Sequence, residues 1–122
     1  MPAYIVVDTH DPDRTIPFWC ELLDVQVKAT YTDGHDVVLA PAPSLGGLML
    51  NFQIVPEAKV GKNRAHLDVV VDDLDEATAQ AEALGGRWTE PGSTRDLDGF
   101  LWRCMADPEG NEFCIFTLPP IR

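Results

Sequence analysis

The sequence predicts an α+β fold made of two tandem βαβββ modules. Three observations carry that prediction. The segment YIVVDTHDPDRTIPFWCELLD (4–24) repeats in outline as HLDVVVDDLDEATAQAEALGG (66–86), at an offset of 62 residues that sets Asp11 on Asp73 and Leu22 on Leu84. Each copy reads as apolar strand, acidic turn and helix, and each is followed by three strand-like runs. Between the copies lies PEAKVGKNR (56–64), polar, with Pro and Gly, holding three of the chain's nine basic residues, which reads as a linker.

Module one covers 3–55. Its helix starts after Asp11-Pro12 and buries Phe18, Trp19, Leu22 and Leu23, with Pro17 expected in about the first turn, where proline does least damage. Strand runs follow at 25–32, 36–40 and 48–55, punctuated by Asp33-Gly34 and by 41–47. Module two covers 65–118. In its first strand Leu67, Val69 and Val71 share one face and His66, Asp68 and Val70 the other. Asp72 or Asp73 caps the next helix, and Asp75 and Glu76 suit its positive end. Ala77, Ala81 and Leu84 make its apolar stripe, and Gly85-Gly86 ends it. The remaining strand runs are 87–90, 100–106 and 111–117, with turns at 91–99 and 107–110.

The 122 residues suffice for one domain, 1–122, that buries roughly two-thirds of its unfolded surface. A net charge of −11, from nine Lys+Arg against twenty Asp+Glu, argues against nucleic acid as a partner, because binding phosphates needs a basic footprint. It favours cationic ligands weakly. No apolar run approaches the ~18 residues of a membrane span, and MPAYIVVD has no basic signal region, so a cytoplasmic protein without membrane partners is expected. Three cysteines, Cys20, Cys104 and Cys114, without CxxC spacing, read as reduced thiols.

Two motifs then resemble the vicinal oxygen chelate superfamily, the group of glyoxalase I, bleomycin-resistance proteins and extradiol dioxygenases. One is His66-x5-Asp72-Asp73-Leu74, opening module two; the other is Asp107-Pro-Glu-Gly-Asn111, which is similar to the family's DPxGN and leads into the last strand. With FWCELLD at the first helix they span nearly the whole chain, and the small glyoxalase-like single-domain subgroup is the nearest in pattern. The resemblance implies a curved mixed sheet around a cleft with the helices on its outer face, and a homodimer. It does not imply an activity, since the superfamily hosts isomerases, dioxygenases, transferases and binding proteins.

Metal enzymes of that family place four ligands on the cleft side, and the resemblance maps those positions onto this chain. His66 matches a family ligand and is the best candidate for metal or acid–base work. Tyr4 stands where the first module's ligand would be, and a neutral phenol suits a pocket wall better than a divalent metal. On the last strand of module one Leu48, Leu50, Phe52 and Ile54 face the helix, so the family glutamate falls on Asn51 or Gln53, with Gln53 preferred. The fourth position, four residues after Gly110, is Cys114, while the nearest acid, Glu112, is about 6.5–7 Å away along the strand. One family-type ligand of four is too few, so no family-type metal site and no cofactor are expected.

Asp68 shares the cleft face with His66 and either pairs with Glu112 as a general base or bonds a neighbouring strand residue or an arginine such as Arg64 or Arg103. Trp102 with Cys104, or Arg103 with Met105, lines the cleft according to the strand's parity. Cys114 as a nucleophile needs a base, for which His66 is the candidate. The expected role is binding of a small molecule, cationic or aromatic, in a cleft lined by Tyr4, Gln53, His66, Asp68, Glu112 and Cys114. The alternative is a glyoxalase-like isomerase or lyase with a remodelled metal site or a His/Glu acid–base pair, and a third reading is a scaffold without ligand.

Overall fold

The computed structural model describes residues 4–119, so the predicted module start at residue 3 lies outside the described residues. The chain falls into two compact units, Met1–Val60 and Gly61–Arg122, dividing inside the polar stretch 56–64. Among the described residues both are α+β, each with one α-helix and a mixed sheet.

The first unit runs β1 (Tyr4–Thr9), α1 (Pro12–Leu23), β2 (Val27–Tyr31), β3 (Asp36–Leu39) and β4 (Met49–Ile54). The sheet order is β1-β4-β3-β2, with β1 parallel to β4 and the others antiparallel. A parallel neighbour requires a long crossover, which α1, β2 and β3 supply. Helix α1 lies against β4. Phe18, Trp19 and Leu23 are buried on one side and Leu50 and Phe52 on the other, and the Phe18 and Trp19 rings meet edge-on at 5.3 Å. Met49 and Val38, on the Asn51 side of the sheet, are buried too, so the alternation in β4 is incomplete. Pro17 corrects the expectation of a first-turn proline: it is the sixth helical residue, in the second turn. It withholds one N–H from the Asp13 carbonyl, yet its φ is already helical and its ring is exposed, so the buried face carries the helix through.

The second unit runs β5 (Leu67–Val70), α2 (Leu74–Ala83), β6 (Arg87–Trp88), β7 (Arg95–Leu97), β8 (Phe100–Ala106) and β9 (Glu112–Thr117). The order is β5-β9-β8-β6, β7 also pairs with β8, and β5 is parallel to β9. Asp73 is the N-cap of α2, its carboxylate accepting the Glu76 N–H at 3.0 Å. Leu74, Ala77 and Ala81 are buried on the helix, Val69, Met105, Phe113 and Ile115 on the sheet. Strand β7 is a correction, because 91–99 reads as a turn in the sequence. Asp98 and Gly99 have φ of 53° and 86°, and they close a two-residue hairpin between the partners Leu97 and Phe100. Two adjacent positive φ values fit the type I′ geometry that Asp-Gly favours.

The Asp107-Pro-Glu-Gly-Asn111 motif owes its form to a buried carboxylate. Asp107 is 2% exposed; Oδ1 accepts the N–H groups of Glu109 and Asn111, and Oδ2 accepts the Asn111 side-chain amide, all at 2.9 Å. Gly110, at φ 88°, turns the chain into β9 and donates its N–H to the Asp107 carbonyl. This knot fixes the register of β9 against β8 and so decides which residues of β9 reach the site.

Arg103 faces α2. Its guanidinium stacks over Trp88 at 4.2 Å and bonds Thr78 Oγ1, the Leu74 carbonyl, Thr94 Oγ1 and Asp75. Arg103 is therefore spent on the helix side, and Trp102 and Cys104 take the opposite face of β8.

Candidate functional site

The site lies on the sheet face of the second unit opposite α2. His66, just before β5, and Asp68 within it share that face by the two-residue period of a strand. Asp68 pairs with Cys114 across the parallel β5–β9 register, Cys114 with Cys104 across β9–β8, and Trp102 with Phe116 one step further along. His66, Asp68, Phe100, Trp102, Cys114 and Phe116 line a cleft of about 360 Å³.

His66 Nε2 stands 3.3 Å from Asp68 Oδ1, both side chains being more than half exposed. One ligand atom each from His66, Asp68 and Cys114 lie within 4.8 Å of one another. Behind them Cys114 Sγ donates to Cys104 Sγ at 3.9 Å, and Cys104 neighbours the Glu90 carboxylate. Arg95, which shares the face of Trp102 by its register in β7, holds Glu90 with two bonds of 2.9 and 2.8 Å. Those bonds, with the Cys104 contact, keep the Glu90 carboxyl below its usual range. Burial first, then the neighbouring Cys104 and Asp68, push the Cys114 thiol up to about 12. At neutral pH Cys114 is a protonated thiol and a poor nucleophile.

The structure distributes the six sequence candidates unevenly. It brings His66, Asp68 and Cys114 together. The Glu112 carboxylate instead accepts the Asn63 N–H at 2.8 Å, while its carbonyl faces the Asn63 amide, so this acid anchors the segment before β5 rather than pairing with Asp68. Tyr4 and Gln53 belong to the first unit. Tyr4 pairs with Met49 and Gln53 with Asp8, four residues further along the same two strands, which places them about 13 Å apart. Two internal registers also identify the counterpart of Cys114. Asp68 pairs with Cys114 in module two; its counterpart at the 62-residue offset, Val6, pairs with Asn51. The position equivalent to Cys114 is thus Asn51 and not Gln53. Asn51 Nδ2 donates to Asp36 at 3.2 Å, and its Oδ1 is buried without a partner among the described residues.

The family's four-ligand metal set does not fit these residues. A phenol, an amide already bonded to Asp36, one imidazole and one thiol stand at its positions, and the nearest carboxylate to the fourth is tied to Asn63. Sequence reasoning did not single out Phe100, Glu90 or Arg95. The Asp98-Gly99 hairpin signal was there to find β7 and, with it, the side of the sheet on which Arg95 falls.

The paired βαβββ architecture defines the class, a glyoxalase-like protein. A profile described as "Glyoxalase-like domain" matches residues 4–116, and the chain belongs to that family. Among solved structures, the chain is similar to "Oxidase ChaP-H2" at 23% identity and a TM-score of 0.71, over 98% of this chain and 94% of that one. It is also similar to a glyoxalase/bleomycin resistance protein/dioxygenase family enzyme from Burkholderia phytofirmans PsJN, at 17% identity and a TM-score of 0.75, over 93% and 95%. The genomically encoded fosfomycin resistance protein FosX of Listeria monocytogenes matches at 16% identity and a TM-score of 0.72, over 97% and 93%. At such identities the likeness is one of fold. No curated protein matches the sequence.

Proposed function

We propose that the protein binds a small planar cation in the cleft of its second unit, in the manner of a bleomycin-resistance protein and without the family's metal set. One observation carries the reading: Phe100, Trp102 and Phe116 converge with the Asp68 carboxylate on a single cleft of about 360 Å³. Aromatic faces attract a flat cation, and each good contact contributes about 0.5–1.5 kcal/mol. Asp68 supplies the countercharge, since the nearby Arg95 is already paired with Glu90. The net charge of −11 acts in the same direction at longer range.

The test is calorimetric titration with tryptamine as the probe, against indole-3-acetate, which carries the opposite charge on the same ring. Saturable binding of tryptamine alone supports the reading. Equal binding of both, or of neither, overturns it.

A second reading rests on the 3.3 Å approach of His66 Nε2 to Asp68 Oδ1. An imidazole oriented by a carboxylate is a general base, and the chain would then be a glyoxalase-like isomerase or lyase. The sign of that activity is a bell-shaped or single-limbed pH–rate profile that flattens in His66→Gln.

We further read the protein as a cytoplasmic homodimer. No helix among the described residues is long and apolar enough to cross a membrane. The three thiols are free, and Tyr4, Ile5 and Val6 leave an apolar run of β1 exposed, which suits a self-association surface. Light scattering behind a sizing column reads the oligomeric state directly.

A further inference from the structure

We infer that His66, Asp68 and Cys114 form a binding site for a thiophilic divalent cation, zinc by chemistry, contained within the second module. The family's metal set takes one ligand from each of four strands in two modules; this one uses β5, the residue just before it, and β9. It adds Asp68, which stands at no family ligand position, and it takes a thiolate where the family has an acid.

The geometry is that of three ligands around one ion. With metal–nitrogen and metal–oxygen bonds near ~2.0 Å, two such ligands on a tetrahedral ion stand about 3.3 Å apart. His66 Nε2 and Asp68 Oδ1 are 3.3 Å apart, and a ligand atom from each of the three residues lies within 4.8 Å of the others, so side-chain rotation about Cys114 has two edges to close. The ligands come from a strand and its directly paired neighbour, a rigid base of parallel backbone hydrogen bonds. The charges also balance: a carboxylate and a thiolate neutralise a divalent ion, and the imidazole stays neutral. The thiol proton leaves to water as the metal binds.

The surroundings suit the ion as well. Cys104 Sγ, 3.9 Å from Cys114 Sγ, is placed to bond the bound sulfur, as outer partners of metal ligands do. Three protein ligands leave a fourth position, and the trio lines the same cleft as Phe100, Trp102 and Phe116. Water would complete the coordination, the arrangement of an open rather than a closed zinc site, and an organic cation, which needs the same Asp68 carboxylate, would be a competing occupant of the cleft.

The experiment uses the full chain, stripped with chelator and kept reduced with a phosphine, and titrated with cobalt(II) and then zinc. The expected result is one equivalent of cobalt, a thiolate-to-cobalt charge-transfer band in the near ultraviolet, and loss of that band as zinc displaces cobalt. His66→Gln, Asp68→Asn and Cys114→Ser each weaken binding at least about ten-fold, whereas Cys104→Ser keeps the band. Circular dichroism of each metal-free variant checks that it is folded. Absence of the band in folded wild type overturns the site, and so does a band that survives Asp68→Asn and His66→Gln together, which would leave only a lone cysteine binding metal. Zinc binding is read without any organic ligand, so its failure and the failure of tryptamine binding are separate results.

Discussion

Cys104 and Cys114 face each other across β8 and β9 with their sulfurs 3.9 Å apart. The Asp107 N–H bonds the Asn111 carbonyl at the head of this hairpin, so the pairs alternate, and Cys104–Cys114 falls in a non-hydrogen-bonded position. Such positions bring Cα atoms to about 4.5 Å, the short end of the range a disulfide spans.

This pair is expected to oxidise. Diamide takes two electrons and two protons from the thiols, becoming the hydrazine as the S–S bond forms. Thiol titration of the unfolded product should fall from three groups to one, and Cys114→Ser should abolish the change. The reaction should quicken as pH rises, because the attacking species is the thiolate. Zinc bound at Cys114 should slow it, and survival of all three thiols under diamide at high pH would refute the pairing.

The raised thiol of Cys114 carries a stability signature. Its value is about 12 in the folded chain against an ordinary 9.0. Below about pH 9 the group is protonated in both states and its contribution is complete. Between 9 and 12 the unfolded chain ionises first, so stability is lost as pH rises. Cys20, raised by burial and then by Glu21, acts in the same direction. Thermal unfolding should show a steeper alkaline fall in wild type than in Cys114→Ser, with the remainder flattened by Cys20→Ser.

Cleft variants should separate ring from charge. Trp102→Ala removes a stacking face and should weaken tryptamine binding about ten-fold, an amount near 1.4 kcal/mol. Asp68→Asn should bring tryptamine and indole-3-acetate closer in affinity without abolishing either ring contact. Isothermal titration reads both; unchanged affinity in Trp102→Ala removes the cleft from consideration.

Asp107 should matter to stability more than any exposed acid. Asp107→Ala leaves two backbone N–H groups and the Asn111 amide without their acceptor in a half-buried turn. The expected loss is about 2–4 kcal/mol, read from urea unfolding. Asp72→Ala, at an exposed acid of the same unit, should cost far less.

Much of the fold was legible because its signals are local. The Asp72-or-Asp73 cap, which the structure gives to Asp73, the Gly85-Gly86 stop and the Asp107–Asn111 turn are short-range devices, and each is in place. Pro17 and β7 escaped for opposite reasons. Burial of Phe18 and Trp19 against the β4 side overrode a local breaker, whereas Asp98-Gly99 was a local signal read as part of a longer turn.

The sequence by itself determined the family, the two-module plan and which residues of each strand share a face. Alternation gives that last property without any partner, and it put His66, Asp68, Cys114 and Phe116 on one side in advance. Tertiary structure alone decided what stands opposite what. A parallel pair such as β5–β9 joins segments more than forty residues apart, and its register is set by packing, not by neighbours in the chain. That register set Asp68 beside Cys114, gave Asn51 rather than Gln53 the matching place in β4, and left Glu112 to Asn63.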